Sequence, residues 1–223
     1  MDIYINKPPL IALTGPVNSG KRAYVEYIST RLSCTHVISL SSFAVVEAKH
    51  SFGHVLKNKA EVREYMSIMR HMKGNDYFLK KLKLDEIINV SAVFIRSLKT
   101  PEEVKFIKSI GGVVVGITSN QYVRYQRSQS EDYLKGFSFE YFKQMEADEF
   151  PDLDKCFDLA DEKIVNDELD FKRSPSSFYL GPCNKKLDEL SKKFPYFDLD
   201  SGQYDPVFID RVNKETIRST SLF

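Results

Sequence analysis

Short apolar runs alternate with stretches of helical periodicity over the first two-thirds of the chain. Apolar, β-branched runs predict buried strands, and their alternation with helical segments predicts an α/β protein, a parallel sheet with helices on both faces. Strands are expected at residues 10–13, 36–40, 90–95, 111–117 and 164–165. Helices are expected at residues 21–32, 41–49, 60–84 with a break at Gly74, from Thr100 onward, 121–126 and 139–145.

Three methionines, Met66, Met69 and Met72, recur at a spacing of three inside the third predicted helix. Apolar residues at helical spacing usually form a buried face, and methionine fills irregular gaps in protein cores. The stripe therefore predicts that all three side chains lie in the core.

The character of the sequence changes after Asn166. Prolines at positions 175, 182, 195 and 206 interrupt the remainder, which is predicted to hold only two short helices, at residues 184–193 and about 207–217. Aromatic residues are scattered through this segment, whereas disordered linkers are poor in them. We therefore expect an α/β domain over residues 1–168 and a partly helical extension over residues 169–223 that docks on a partner, with the domain itself as the alternative surface.

Composition narrows the classes of function. Hydrophobic residues make up 42% of the chain, enough for a core, and the net charge of +1 gives no global argument for nucleic acid or membrane. No apolar run approaches the ~18 residues of a membrane span, and the N-terminus lacks the apolar segment of a secretion signal. Three widely spaced cysteines fit a reducing compartment and give no zinc-ligand spacing. A cytoplasmic protein without membrane association or bound metal is expected.

One motif carries chemistry, the stretch TGPVNSGKRA at residues 14–23. It follows a predicted buried strand and opens a predicted helix, the context in which a GxxxxGK loop binds phosphate groups through its backbone N–H groups and its lysine. The alternative is a glycine turn with an exposed lysine. The residues expected to bind a nucleotide cofactor, ATP or GTP, are Gly15, Asn18, Ser19, Gly20, Lys21 and Arg22.

Position 22 departs from the motif, because Arg22 stands where Ser or Thr would supply a hydroxyl to Mg²⁺. A guanidinium group is always cationic and cannot bind a metal ion. It can instead neutralise a phosphate group, so anion binding without magnesium is expected.

Beyond the loop, the chain resembles P-loop kinases of the nucleoside-monophosphate-kinase-like family, over roughly residues 9–168. The branch that it resembles most contains dephospho-CoA kinase, phosphomevalonate kinase and phage deoxynucleotide kinases. The similar segments are REYMSIMRHMKGNDYF (63–78), FIRSLKTPEEV (94–104), NQYVRYQR (120–127) and LADEKIVND (159–167).

The resemblance implies roles for several cationic residues. Lys21 would hold the donor phosphates, while Arg124 and Arg127 would lie in a lid and stabilise transferring charge if the protein is an active kinase. Arg70 and Arg96 would face the acceptor. A solvated helix face is the alternative for Arg124 and Arg127.

The acidic positions of the family are missing. The stretch SAVFIR (91–96) has no carboxylate, and SLSSFAVVEA (39–48) offers only Glu47 as a general base. The surviving cations and missing carboxylates favour a non-catalytic binding or regulatory factor. The alternative is an active kinase for a small phosphorylated acceptor, such as a nucleoside monophosphate or dephospho-CoA, with Arg22 turned outward.

The expected partner is a protein or an RNA–protein assembly such as a ribosome, bound through residues 170–223. A local basic patch suggests nucleic acid, although a solvated helix face is the commoner meaning of such a pattern. The patch consists of Arg70, Lys73, Lys80, Lys81 and Lys83, with Tyr77 and Phe78 among them.

Overall fold

The computed structural model describes residues 8–29, 32, 34–87, 90–129, 135–149 and 151–167. Strands and helices alternate in this part of the chain as the apolar pattern predicts. The strands are β1 (Leu10–Thr14), β2 (Thr35–Ser39), β3 (Ala92–Leu98), β4 (Val113–Thr118) and β5 (Glu162–Val165). The helices are α1 (Lys21–Ser29), α2 (Leu40–Phe52), α3 (Lys59–Lys73), α4 (Tyr77–Lys81), α5 (Pro101–Ser109), α6 (Gln121–Ser128), α7 (Phe139–Glu149) and α8 (Leu153–Asp158), with a 3₁₀ turn at Leu84–Glu86.

The five strands form one parallel sheet in the order β2-β3-β1-β4-β5. Strand β1 pairs with β3 on one side and with β4 on the other, so β1 is central. Ligands of open parallel sheets bind at the carboxyl ends of the strands, next to the point where the strand order reverses. The glycine-rich loop of residues 15–20 leaves β1 at this point.

Two apolar clusters cover the faces of the sheet. One packs α1 against β1, β3 and β4, and the other packs α2 to α5 and α8 against the opposite face. Met66 and Met69 lie in the second cluster, each 5% exposed, but Met72 is 66% exposed. The prediction for Met72 was wrong, because a step of three residues turns only 300° around a helix. Each successive methionine therefore moves about 60° away from the buried face.

The predicted break at Gly74 within residues 60–84 is confirmed, with α3 before it and α4 after it. Helix α3 ends with Gly74 as its C-cap, at a φ of 105°, and α4 starts three residues later at Tyr77. The predicted start of α5 is confirmed in detail. The Thr100 hydroxyl accepts a hydrogen bond from the backbone N–H of Glu103, and the Glu103 carboxylate accepts one from the backbone N–H of Thr100. Pro101 occupies the first helical position.

Strand β3 extends beyond its predicted end and is irregular there. Its register against β1 shifts between Ala12 and Thr14, and Ser97 has a φ of 69°. The shift places a bulge at Arg96 and Ser97, beside the loop that follows β1. Bulges at such positions redirect a side chain at the edge of a sheet.

The predicted extension over residues 169–223 lies outside the described residues, so its helices and its docking stay predictions. Within the part of the chain that the structure describes, no helix is long and apolar enough to cross a membrane.

Candidate functional site

The loop between β1 and α1 has the backbone of a phosphate-binding loop. Gly15, Asn18 and Gly20 have φ angles of 132°, 55° and 106°. A Cβ atom on Gly15 would lie 1.9 Å from the carbonyl oxygen of Ile117, so only glycine fits between the loop and β4. Alternating left- and right-handed residues of this kind form a concave backbone that accepts anions.

The carbonyl oxygens of residues 15–19 are all held by side-chain donors. Lys21 Nζ donates to the first two, at 2.7 and 2.5 Å. Arg124 donates to the third at 3.4 Å, Arg127 to the fourth at 3.0 Å and Asn166 to the fifth at 2.8 Å. Because the C=O and N–H of a trans peptide point in opposite directions, these bonds direct the loop N–H groups towards the other side. The loop is thereby braced in an anion-binding form.

Lys21 lies in a strongly cationic environment. Desolvation by burial, together with the positive charges of Lys99 and Arg124, lowers the pKa of its ammonium group to about 7. Besides the loop carbonyls, its Nζ atom is 3.3 Å from the hydroxyl of Ser19. A bound polyphosphate would reverse this electrostatic penalty, because an anion favours the charged lysine.

Arg22 extends along the surface of α1. Its Nε donates to Glu26 at 2.7 Å, and its side chain is 79% exposed. The guanidinium group therefore contacts the helix surface, whereas position 22 offers no hydroxyl to a metal. Its predicted contact with a phosphate group stays a prediction.

Arg96 lies at the bulge of β3, close to Arg22. Burial and the charge of Arg22 lower the pKa of Arg96, and Glu26 acts in the opposite direction. Its buried Nε has no hydrogen-bond partner within the described residues. Such a donor is costly unless a ligand or water satisfies it, so the predicted acceptor-side position of Arg96 is chemically suited to an anion.

Arg124 and Arg127 are buried rather than solvated, so the alternative of an exposed helix face is excluded. Besides the loop carbonyls, Arg124 forms a very close ion pair with Glu146 of α7, and Arg127 donates to the backbone oxygen of Asn166 at 2.8 Å. Both arginines thus connect α6 to the phosphate loop. Their predicted role in stabilising transferring charge stays a prediction.

Among the described residues, the buried carboxylates of Glu47 and Glu103 are bound to partners away from the loop, whereas that of Glu146 binds Arg124. Glu47, the candidate base, accepts hydrogen bonds from the hydroxyls of Tyr65 and Tyr77 and is 6% exposed. Burial and the bonds to this carboxylate raise the pKa of Tyr77 to about 12. Glu103 is fully buried and binds Arg70 at 2.6 Å. No group of three or more potential metal ligands occurs among the described residues.

Arg70 is therefore engaged by Glu103, although it also lines a cavity of about 510 Å³ between α3, the start of α5 and the residues before α8. Lys99 lines the same cavity. Sequence reasoning missed Lys99, since it lies just beyond the similar strand ending. The sequence feature that could have indicated Lys99 is its position directly after a predicted strand, at the carboxyl edge of the sheet.

The predicted basic patch is partly neutralised. Lys80 pairs with Asp76 at 2.8 Å and Lys83 with Glu86 at 2.6 Å. Phe78 is fully buried, so its ring is not available to stack on a base. The commoner interpretation, a solvated charged helix face, fits these contacts better than a nucleic-acid surface does.

Comparison with known proteins agrees with this geometry. The shikimate kinase from Bacteroides thetaiotaomicron superposes with a TM-score of 0.51 at 16% identity, over 82% of this chain and 98% of that one. TT1252 from Thermus thermophilus gives a TM-score of 0.54 at 16% identity, over 85% and 99%. The chain has the P-loop kinase fold. The shikimate kinase from Acinetobacter baumannii in complex with shikimate gives 0.53 at 15% identity, over 85% and 97%.

These likenesses confirm the predicted α/β fold, and at such identities they establish the fold alone. A dephospho-CoA kinase from Campylobacter jejuni is 18% identical with a TM-score of 0.41, too low to argue for that branch. No family model and no curated protein matches the sequence. The predicted branch of the P-loop kinases therefore stays a prediction.

Proposed function

We propose that this chain binds ATP or GTP at its phosphate loop and acts as a binding or regulatory protein that transfers phosphoryl groups poorly. One observation carries the proposal. The loop is braced for an anion by four side chains, while the buried carboxylates of Glu47 and Glu103 bind partners away from it.

The first argument concerns the metal. Phosphoryl transfer in P-loop enzymes uses Mg²⁺ held in part by a hydroxyl that follows the loop lysine. Arg22 removes this ligand, and its guanidinium charge is close enough to Arg96 to lower the pKa of that arginine. Two guanidinium groups favour a phosphate anion there and disfavour a dication.

The second argument concerns the base. A general base must reach the hydroxyl that it deprotonates, within hydrogen-bond distance or through one water. Glu47 is the carboxylate that follows β2, and two tyrosine hydroxyls already occupy it in a buried position. It therefore supports the packing of α2 against α3 and α4.

Isothermal titration calorimetry with ATP, with and without Mg²⁺, tests the proposal. Wild-type protein is expected to bind ATP with an affinity that magnesium changes by less than about threefold. In Arg22→Ser, which restores the hydroxyl, magnesium is expected to strengthen binding by about tenfold, or about 1.4 kcal/mol.

Arg22→Ala is the matched control, because it removes the guanidinium group without adding a metal ligand. The ATP affinity of this variant is expected to show no added dependence on magnesium. Strong magnesium dependence in wild-type protein would contradict the proposal, as would the absence of nucleotide binding.

An active kinase is the second candidate, and the position of Arg22 favours it. The exposed pair with Glu26 leaves the space beside the loop open for a metal held by phosphate and water. Turnover assays with Mg²⁺-ATP against nucleoside monophosphates, dephospho-CoA and phosphomevalonate decide between the two. Rates above about 1 s⁻¹, typical of kinases, that disappear in Lys21→Ala would establish the kinase.

For the partner, we propose an RNA–protein assembly such as a ribosome, contacted through residues 170–223. The support is the aromatic content of this segment, which exceeds that of a linker. Co-sedimentation of the full chain with ribosomes is expected, and it should persist in Lys21→Ala. Equal loss on substituting Lys21 and on removing the segment would contradict an interaction led by residues 170–223.

A further inference from the structure

Within the described part of the chain, one side of α3 carries an exposed apolar stripe. Ile68 is 48% exposed and Met72 66%. The partly buried Tyr65 precedes Ile68 by three residues, so the three side chains lie on the same side of the helix. The exposed ring of Phe52, at the end of α2, packs against the Tyr65 ring with 6.3 Å between centroids and extends the stripe beyond α3. Exposed apolar patches of this kind mark interaction surfaces.

Helix geometry divides the face around Ile68 into two flanks. Successive residues turn 100° around an α-helix, so Tyr65 and Met72 lie about 60° and 40° to one side of Ile68. By the same rule, Glu64 and His71 lie about 40° and 60° to the other side. Tyr65 and Glu64 precede Ile68 by one turn, whereas Met72 and His71 follow it by one turn. One flank of the face is therefore apolar and the other is polar.

The two polar residues of this face have no partner on their own helix. Glu64 and His71 are about 10 Å apart along the helix axis, too far to contact each other. Among the described residues, no side chain forms an ion pair or a hydrogen bond with either of them. The basic residues Lys59, Arg63 and Lys73 point about 140° to 180° away from Ile68, so their charges lie outside the face.

A second copy of this face is complementary to the first. When two copies of a helix pack antiparallel about a two-fold axis, each flank meets the same flank of the other copy in the reverse direction. Ile68 then lies against Ile68 of the second copy. Tyr65 meets Met72, and a thioether beside an aromatic ring is a favourable contact. Glu64 meets His71, whose ring N–H donates to the carboxylate.

We propose that α3 is a self-association surface, through which two copies of this chain form an antiparallel two-fold dimer. A two-fold interface requires a patch that complements itself, and the order of residues on α3 meets this requirement. The helix has 15 residues and is about 22 Å long, so the contact is smaller than a standard interface of about 1,600 Å². A weak dimer with a Kd of about 10 to 100 µM is expected. The dimer does not depend on nucleotide binding.

Sedimentation velocity of the full chain at concentrations from about 1 to 500 µM measures the association. The wild-type protein is expected to pass from monomer to dimer over this range. Ile68→Asp places two carboxylates at the centre of the interface and is expected to weaken dimerisation by at least about tenfold. Lys105→Glu, an exposed charge reversal on α5, is the control and is expected to leave the Kd within about twofold.

Charge reversal tests the antiparallel register. Glu64→Lys sets a lysine opposite His71, and His71→Glu sets two carboxylates opposite each other, so either variant alone is expected to dimerise about tenfold more weakly. In an equimolar mixture of the two variants, each introduced charge meets an opposite charge in the other chain. The mixture is expected to recover the wild-type Kd within about threefold. Both positions are exposed, so the thermal midpoint of the monomer, measured at about 1 µM, is expected to stay unchanged.

The recovery on mixing can arise only between two chains, which separates a second copy from any segment of the same chain. Wild-type protein that stays monomeric up to about 500 µM would overturn the proposal and leave the stripe to residues 169–223 or to a different protein. Ile68→Asp that dimerises like the wild type would place the interface elsewhere and also overturn it. A mixture that associates no better than its two components would reject the antiparallel arrangement.

Discussion

Lys21 both holds the phosphate loop and, through its lowered pKa, makes the charge of the loop depend on pH. The motif predicts a lysine directed at phosphate groups, and the structure places its Nζ on the loop carbonyls of Gly15 and Pro16. Burial, with a smaller contribution from the neighbouring cations, lowers the pKa of Lys21 to about 7. The charge of the phosphate loop therefore depends on the protonation of Lys21 at neutral pH.

This charge predicts a pH dependence of nucleotide binding. Above pH 7 the unliganded Lys21 loses its proton, and a bound polyphosphate raises its pKa again, so binding takes up a proton. The affinity for ATP is therefore expected to fall as the pH rises above about 7. Calorimetry in two buffers of different ionisation enthalpy, at a pH of about 8, measures the proton uptake.

Lys21→Met removes the predicted uptake at its source, and Lys99→Met measures how much the second lysine contributes. Uptake that is unchanged in Lys21→Met would assign the proton to another group. The positive groups facing Lys21 are Lys99 from the end of β3 and Arg124 from α6.

At the residue scale, the sequence predicts local motifs well and long-range contacts poorly. The loop lysine and the capping box at Thr100 follow from neighbouring residues and are confirmed. The contacts of Arg124 with the loop carbonyl of Val17 join residues 107 positions apart. No local pattern reports such a pair, because tertiary packing alone brings α6 to the loop.

At the scale of elements, α5 depends on a single carboxylate. Glu103 completes the capping box with Thr100, binds Arg70 of α3 and accepts the backbone N–H of Lys99. The sequence predicts the cap from the Thr-Pro-Glu-Glu pattern but not the partner on α3. Helix α5 is thereby fastened to α3 as well as to the end of β3.

Replacing this carboxylate is expected to destabilise the fold. Glu103→Ala leaves Arg70 without its buried partner and removes two backbone contacts, with an expected loss of about 3 kcal/mol in the free energy of unfolding. Urea denaturation followed by circular dichroism measures the loss. Glu102→Ala is the matched control on the same turn, and it is expected to change stability by less than about 0.5 kcal/mol.

A loss below about 1 kcal/mol in Glu103→Ala would contradict the role assigned to this residue. It would place the stability of α5 in its apolar contacts, such as those of Val104 and Ile107, which are fully buried.

At the scale of the whole molecule, the described region is closed by a contact between its two ends. Asn166, which follows β5, donates its side-chain amide to the carbonyl of Ser19 at 2.8 Å across 147 residues. The Ala-Asp-x-x-Ile-x-Asn ending indicated the family resemblance, and the structure gives this asparagine a physical reason. The residue that follows the last strand of the sheet thus supports the phosphate loop, which follows the first strand.

Asn166→Leu is expected to weaken ATP binding by about fivefold, equivalent to about 1 kcal/mol for one hydrogen bond. Hydrogen exchange of the loop amides, measured on the full chain, is expected to accelerate in the same variant. Lys163→Gln on the same strand is the control, since its side chain is partly exposed and contacts Asp158 and the Phe157 ring, away from the loop. Unchanged exchange in Asn166→Leu would remove the asparagine from loop support.

The bracing of five consecutive loop carbonyls has a kinetic consequence. Lys21 next to the loop, and side chains from two distant parts of the chain (α6 and the residue after β5), keep each of these peptide groups from rotating. The loop is thus preorganised for an anion, so anion binding costs little conformational entropy in the loop. Encounter should then be set by diffusion and by stripping water from the cations, so that relaxation after rapid mixing follows one exponential with no slow rearrangement phase.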